Sequence, residues 1–147
     1  MNSTNPYGII PLHEPVFSGN EKKYLDECID STFVSTVGSF VNKFEDAIAH
    51  YTGSKYAIAC MNGTAALHIS LILSDVHADD EVIVPTLTFI APINAVRYVN
   101  ANPIFMDSDE NYNLNIDKTI HFLKHETYFK DGYTYNKSTG RKIKAII

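Results

Sequence analysis

Apolar and polar positions fall into two regimes along this chain. Between Ser18 and Tyr51 apolar residues recur every three or four positions: Tyr24, Leu25, Cys28 and Ile29, then Phe40, Phe44, Ala47, Ile48 and Tyr51. That spacing predicts two amphipathic helices, each with one buried face. Ser18-Gly19-Asn20-Glu21 reads as a capping box for the first, Ser18 accepting the Glu21 amide while the Glu21 carboxylate reaches back. Gly53 stands where a C′ residue ends the second. From Lys55 onward, short apolar runs alternate with helical stretches, the signature of βα units around a mainly parallel sheet. Residues 56–61 read as a buried strand, and Asn62-Gly63-Thr64 turns directly into a helix with Leu67, Leu71 and Ile72 on one side. Residues 81–84 form a second strand, 85–89 a loop, and 90–99 a helix that tolerates Pro92 in its first turn. Residues 104–106 form a third strand, and Asp117 caps a short helix carrying Ile120 and Leu123 that ends near His125.

Residues 129–142 change character. Tyr133 and Tyr135 alternate, Asn136-Lys137-Ser138-Thr139-Gly140 supplies turn chemistry, and Arg141 and Ile143 resume alternation, which predicts an inserted β-hairpin. Residues 143–147 then begin another apolar strand. The expected organisation is an N-terminal helical segment over residues 1–54, followed by the first part of an α/β domain over 55–147. Ligands of open α/β sheets bind beyond the carboxyl ends of the strands. No loop follows the strand at 143–147, so the expectation is a site only partly contained here, with apolar surface left open and a tendency to associate.

With 147 residues, 45% hydrophobic and 20% charged, the chain has the composition of an ordinary globular protein. A net charge of −5 leaves no basic surplus for a nucleic-acid backbone, so no nucleic-acid partner is expected. No apolar run approaches membrane-spanning length, and residues 1–6 show no basic region leading into an apolar stretch. Cys28 and Cys60 have neither CxxC nor zinc-type spacing and read as small buried hydrophobes. A cytoplasmic location is the expectation.

The most informative local feature is Asn62-Gly63-Thr64-Ala65-Ala66. A strand passing through a glycine turn into a helix presents backbone amides that lack intrahelical acceptors, and such a helix start favours an anion. Gly63 lets a ligand approach the backbone, and the Thr64 hydroxyl adds a donor for a phosphate oxygen. The structural alternative is that Asn62 or Thr64 merely caps the helix. The GxGxxG and GxxxxGK[ST] patterns are both absent, which argues against dinucleotide and nucleoside-triphosphate sites. The loop Pro85-Thr86-Leu87-Thr88-Phe89 leaves the next strand on the same edge, so Phe89 can lie over a flat ligand whose phosphate rests on Thr64; taken alone, Phe89 reads as a core residue, and the pairing with the glycine–threonine turn is what favours stacking. His121 and His125 share a helix face but read as a solvated helix end, and Asp107, Asp109 and Glu110 as a polar strand terminus entering a turn.

These residues resemble the DegT/DnrJ/EryC1/StrS family of pyridoxal-phosphate-dependent sugar aminotransferases. The resemblance is carried by Ile10-Pro11-Leu12, Phe44-Glu45, the turn from Asn62 through Leu67, and Asp80-Glu81-Val82-Ile83-Val84-Pro85-Thr86-Leu87-Thr88-Phe89. It implies an aspartate-aminotransferase-like fold (PLP transferase type I), of which this chain is part of the large domain, and usually a homodimer. It implies that Gly63, Thr64 and the Ala65 amide hold the phosphate of pyridoxal 5′-phosphate and that Phe89 stacks on its ring. Ser35 and Thr36, within Phe33-Val34-Ser35-Thr36-Val37-Gly38, resemble a segment that reaches toward a nucleotide-sugar. That loop and the hairpin are similar to a subgroup aminating UDP-linked 4-keto-6-deoxy-2-acetamido sugars, on the way to bacillosamine or legionaminic acid.

The family's anchoring lysine, and the carboxylate that pairs with the ring nitrogen, are expected beyond residue 143. Lys22, Lys23, Lys43, Lys55, Lys118, Lys124, Lys130, Lys137, Lys142 and Lys144 fall outside that motif, so no catalytic residue and no metal ligand is assigned in this chain. The resemblance implies amino transfer, with glutamate as donor, to a 4-keto nucleotide-sugar for surface polysaccharide or glycan synthesis, the chain by itself being inactive. Three alternatives stand beside it: a sugar dehydratase of the same family, an inactive binding or interaction fragment, and a generic phosphate site of an unrelated α/β protein.

Overall fold

The computed structural model describes residues 13–35 and 38–147. The Ile10-Pro11-Leu12 motif and Thr36 lie outside the described residues. The chain divides into two compact units, Met1–Ala59 and Cys60–Ile147.

In the first unit, α1 (Glu21–Asp30) and α2 (Ser39–Thr52) form where the apolar spacing places them. Gly53 closes α2 in the left-handed region at φ 71°. The start of α1 differs from the expected capping box. Asn20 is the N-cap, no side chain caps the helix, and Glu21 Oε2 instead accepts from the Gly19 amide at 2.9 Å. The buried faces are also absent: neither helix contains a buried residue, and Leu25 and Ile29 remain 64% and 65% exposed. Tyr24 and Phe40 touch ring to ring at 5.1 Å, which joins the two helices without enclosing either.

Residues 56–61 belong to none of the five strands, contrary to the sequence expectation. The Ala59 amide donates to Glu45 Oε1 on α2 at 2.8 Å rather than to a strand ladder. Tyr56, Ile58 and Met61 are exposed. A run of apolar residues records a demand for burial; a strand requires a neighbour, and β preference depends on that context.

The second unit is built on a five-stranded sheet in the order β2-β1-β5-β4-β3. Its strands are β1 (Glu81–Pro85), β2 (Asn102–Met106), β3 (Thr127–Lys130), β4 (Tyr133–Asn136) and β5 (Lys142–Ile146). β1 pairs in parallel with both β2 and β5, while β3, β4 and β5 form an antiparallel meander. The expected hairpin and the expected final strand are thus one continuous ladder. It has two turns. Asn136 to Arg141 joins β4 to β5, and Asp131-Gly132, both at positive φ, joins β3 to β4. A two-residue Asp-Gly loop with both residues left-handed matches the twist of paired strands.

Helices α3 (Gly63–Leu73) and α4 (Ile90–Tyr98) pack side by side on the sheet. Leu71, Val76, Val82, Val84, Ala95, Val96 and Ala101 form the buried cluster, with Leu67, Ile93, Val99, Ala145 and Ile147 against it. Ile72, expected on the buried side of α3, is 55% exposed. Helix α5 (Ile116–His125) is capped by Asn115, whose Oδ1 accepts from the Lys118 amide at 2.9 Å; Asp117 is the second helical residue and does not cap it. Cys28 and Cys60, expected to be buried, are each only half-buried. Among the described residues no helix is long and apolar enough to cross a membrane.

Candidate functional site

The order of elements fixes which ends of the helices meet which edge of the sheet. After α3, residues 74–80 lead to the start of β1; after α4, residues 99–101 lead to the start of β2. The Asp79 amide donates to the Asn100 carbonyl at 3.2 Å, and the Asn102 amide to the Asp80 carbonyl at 2.8 Å. The carboxyl ends of α3 and α4 therefore lie together at the amino edge of the parallel strands. Both helices run back against β1, so their amino ends open toward the carboxyl edge, where ligands of parallel α/β sheets bind.

At that end of α3, Asn62 is the N-cap in extended conformation, with Gly63, Thr64 and Ala65 as the first helical residues. In the first turn, amides have no carbonyl one turn earlier to bond, and the helix dipole adds partial positive charge. Gly63 has an ordinary negative φ, and a Cβ built on it would meet nothing within 4 Å. Neither backbone strain nor packing among the described residues requires glycine there. Thr64 is half-buried. Thr64 and Ala65 line a groove of about 410 Å³ together with Asn62, His68 and Tyr98. The Ala65 amide, expected to face a phosphate, donates to Asn62 Oδ1 at 2.9 Å. The capping alternative weighed from sequence is therefore realised for Asn62.

Phe89 is the N-cap residue of α4 and is 88% exposed. Its loop is tied down at the base: the Thr86 amide and the Thr86 hydroxyl both donate to the Met106 carbonyl, at 2.8 Å and 2.9 Å. Phe89 lines a shallow hollow with Leu87 and Thr88, distinct from the groove at Thr64. The two predicted contact points share an edge of the sheet but not one cavity. Ser35 is exposed and lies in the first unit, beside a hollow lined by Ser31, Phe33, Gly38, Ser39 and Asn42.

Sequence reasoning missed His68 and Tyr98. His68 had a signal, because it follows Thr64 by four residues and so shares its helix face. Tyr98 had none: it reaches the groove only because α4 packs beside α3, with its ring 5.5 Å from that of His68. The His121 and His125 rings lie 4.5 Å apart, and among the described residues no group of three or more metal-ligating side chains occurs. Asp109 Oδ1 accepts from the amides of Asn111 and Asn113, both at 2.9 Å, and Asp107 pairs with Lys118. These carboxylates stabilise a turn and a helix start.

Residues 16–128 match the model of the DegT/DnrJ/EryC1/StrS aminotransferase family. The chain is 48% identical over 100 residues to GDP-perosamine synthase of Escherichia coli O157:H7, covering 68% of this chain and 28% of that protein. It thus spans under a third of the length of such curated relatives. Among solved structures, a DegT DnrJ EryC1 StrS aminotransferase from Brucella abortus superposes with a TM-score of 0.71 at 28% identity, over 85% of this chain and 31% of that one. Spr1654 of Streptococcus pneumoniae, in its PLP-form, does so with a TM-score of 0.64 at 27% identity, over 76% and 29%. The sheet with its helix amino ends at the carboxyl edge and the match over most of the length agree: this chain belongs to the DegT/DnrJ/EryC1/StrS aminotransferase family.

Proposed function

We propose that this chain carries the phosphate cradle and a ring-stacking residue of a pyridoxal-5′-phosphate-dependent sugar aminotransferase. The observation that carries the reading is the amino end of α3, with open space at Gly63 and Thr64 lining the groove beside it, within the stretch that matches the family. The donors present suit a phosphate dianion: helical amides, the Thr64 hydroxyl and the positive end of the helix dipole. When bound, pyridoxal phosphate supplies an electron sink through which an amino group passes between substrates. The chain's own residues bind and orient. Gly63, Thr64 and Ala65 hold the phosphate, and Phe89, on its anchored loop, offers an exposed ring face to the pyridine. Ser35 and Thr36 are assigned to the nucleotide-sugar.

The substrate we assign is a UDP-linked 4-keto sugar, with glutamate as donor and a homodimer as the working form. Relatives named as GDP-perosamine synthases support the nucleotide-sugar class and make GDP the competing nucleotide. The cradle is tested by calorimetric titration with pyridoxamine 5′-phosphate, which has no aldehyde to react with surface lysines. Thr64→Ala is expected to weaken binding by about 1.5–3 kcal/mol, the range for a hydrogen bond to a charged group. Unchanged affinity would sink the phosphate assignment. The nucleotide is tested by amide shifts of Ser35 on adding UDP or GDP; a response to GDP alone would replace UDP in the assignment.

A further inference from the structure

We propose that Asn62 is a positioning residue of the cradle: its carboxamide holds the Ala65 amide in the free chain and releases it to the phosphate on binding. The inference rests on the cofactor reading above and adds a step to it.

Asn62 does two things at once. Its backbone carbonyl accepts from the Ala66 amide at 3.1 Å and so belongs to the helix, while its side-chain Oδ1 accepts from the Ala65 amide at 2.9 Å. The backbone is extended, at φ −163° and ψ 170°, so the side chain leaves the helix end instead of continuing its spiral. It lies on the same groove as Thr64 and Ala65, and the residue is exposed. Releasing the carboxamide therefore passes it to water and leaves no buried polar group without a partner. Gly63 places no Cβ in the way.

The exchange has a clear direction. A carboxamide oxygen is a neutral acceptor, whereas a phosphate oxygen carries charge and makes bonds roughly twice as strong to the same amide. The helix dipole adds to the preference for the anion. The Gly63 and Thr64 amides are ready without rearrangement; the Ala65 amide becomes available only when Asn62 gives it up. The cap thus steadies the first turn of α3 in the empty chain, and its strength is subtracted from the affinity for phosphate.

The test is a nitrogen-15 amide spectrum of this chain during titration with pyridoxamine 5′-phosphate and, separately, with inorganic phosphate. The amides of Gly63, Thr64 and Ala65 and the Asn62 side-chain amide group are expected to shift together. Asn62→Ala, which has no cap to displace, is expected to bind about fivefold tighter, from a cap of ordinary strength. Asn62→Ser restores a cap and is expected to return affinity to within about twofold of the original. Shifts at Gly63 and Thr64 with Ala65 unmoved would overturn the exchange while leaving the cofactor reading intact. Equal or weaker binding by a folded Asn62→Ala chain would do the same. Silence at all three amides up to millimolar ligand would overturn the cofactor reading itself. The Ala65 measurement is made on the unaltered chain, so it decides the matter whether or not the variants fold.

Discussion

The two units of this chain answer the same kind of hydrophobic pattern in opposite ways. In Cys60–Ile147 the apolar residues of β1 are enclosed: Val82, Ile83 and Val84 have no exposed surface, and Ala95 and Val96 of α4 close over the sheet. In Met1–Ala59, α1 and α2 show helical periodicity just as clearly, yet neither buries a residue. An amphipathic stripe specifies that a helix should have an apolar neighbour; it does not supply one. The sheet unit finds its neighbours within its own sequence, because α3 and α4 alternate with β1 and β2 and pack against them. The helical unit has two stripes and little besides Tyr24 against Phe40 to satisfy them.

Four substitutions, taken from the largest expected effect to the smallest, would break or sharpen that contrast. Ile83→Ala removes every side-chain carbon beyond Cβ from a fully buried residue of β1 and should cost about 2–5 kcal/mol, read from the urea midpoint of the second unit. A loss below 1 kcal/mol would mean that the sheet interior is not packed as described. Asn136→Ala should cost about 1–3 kcal/mol by the same measurement. Its Nδ2 donates to buried Glu81 Oε2 at 2.9 Å, and its Oδ1 accepts from the Ser138 amide and hydroxyl. The change leaves a buried carboxylate without that donor and frees the turn between β4 and β5. Combining it with Glu81→Gln should cost less than the sum of the two single changes, since the pair is in contact.

Gly53→Ala should destabilise the end of α2 by about 1–2 kcal/mol, because a Cβ is unfavourable at φ 71°. The readout is faster amide exchange in the last turn of α2. Leu25→Ala, on the exposed face of α1, should change global stability by less than about 0.5 kcal/mol. A cost near that of Ile83→Ala would show α1 to be enclosed and would erase the contrast between the units.

Much of the framework was legible from residue order. The helix at 39–52 with its glycine stop, the strand at 81–85, the helix carrying Pro92 in its first turn and the strand ending at Met106 all follow from period and punctuation. Local capping was read less well. Asn20 and Asn115 each lie two positions from a residue with an equally good claim, Ser18 and Asp117, and the final backbone angles decide which position becomes the N-cap. The Asp131-Gly132 turn carries a strong two-residue hairpin signal of its own, beside the longer turn-rich stretch from Asn136 to Gly140. At the candidate site, the glycine turn and Phe89 were visible in the sequence, whereas Tyr98 entered the groove only through helix packing.

By itself the sequence determined the family, the alternation of strands and helices, and the glycine turn that starts the helix at Gly63 and Thr64. These depend on residue type and short-range spacing, which act through local backbone preference and the period of the pattern. Tertiary structure decided two matters. It left residues 56–61 outside the sheet and joined the hairpin and the last strand into one meander. Each turns on which partner reaches a given backbone group first. That is a competition among hydrogen-bond acceptors and neighbours brought together by folding, and no window of sequence contains both competitors in their final geometry.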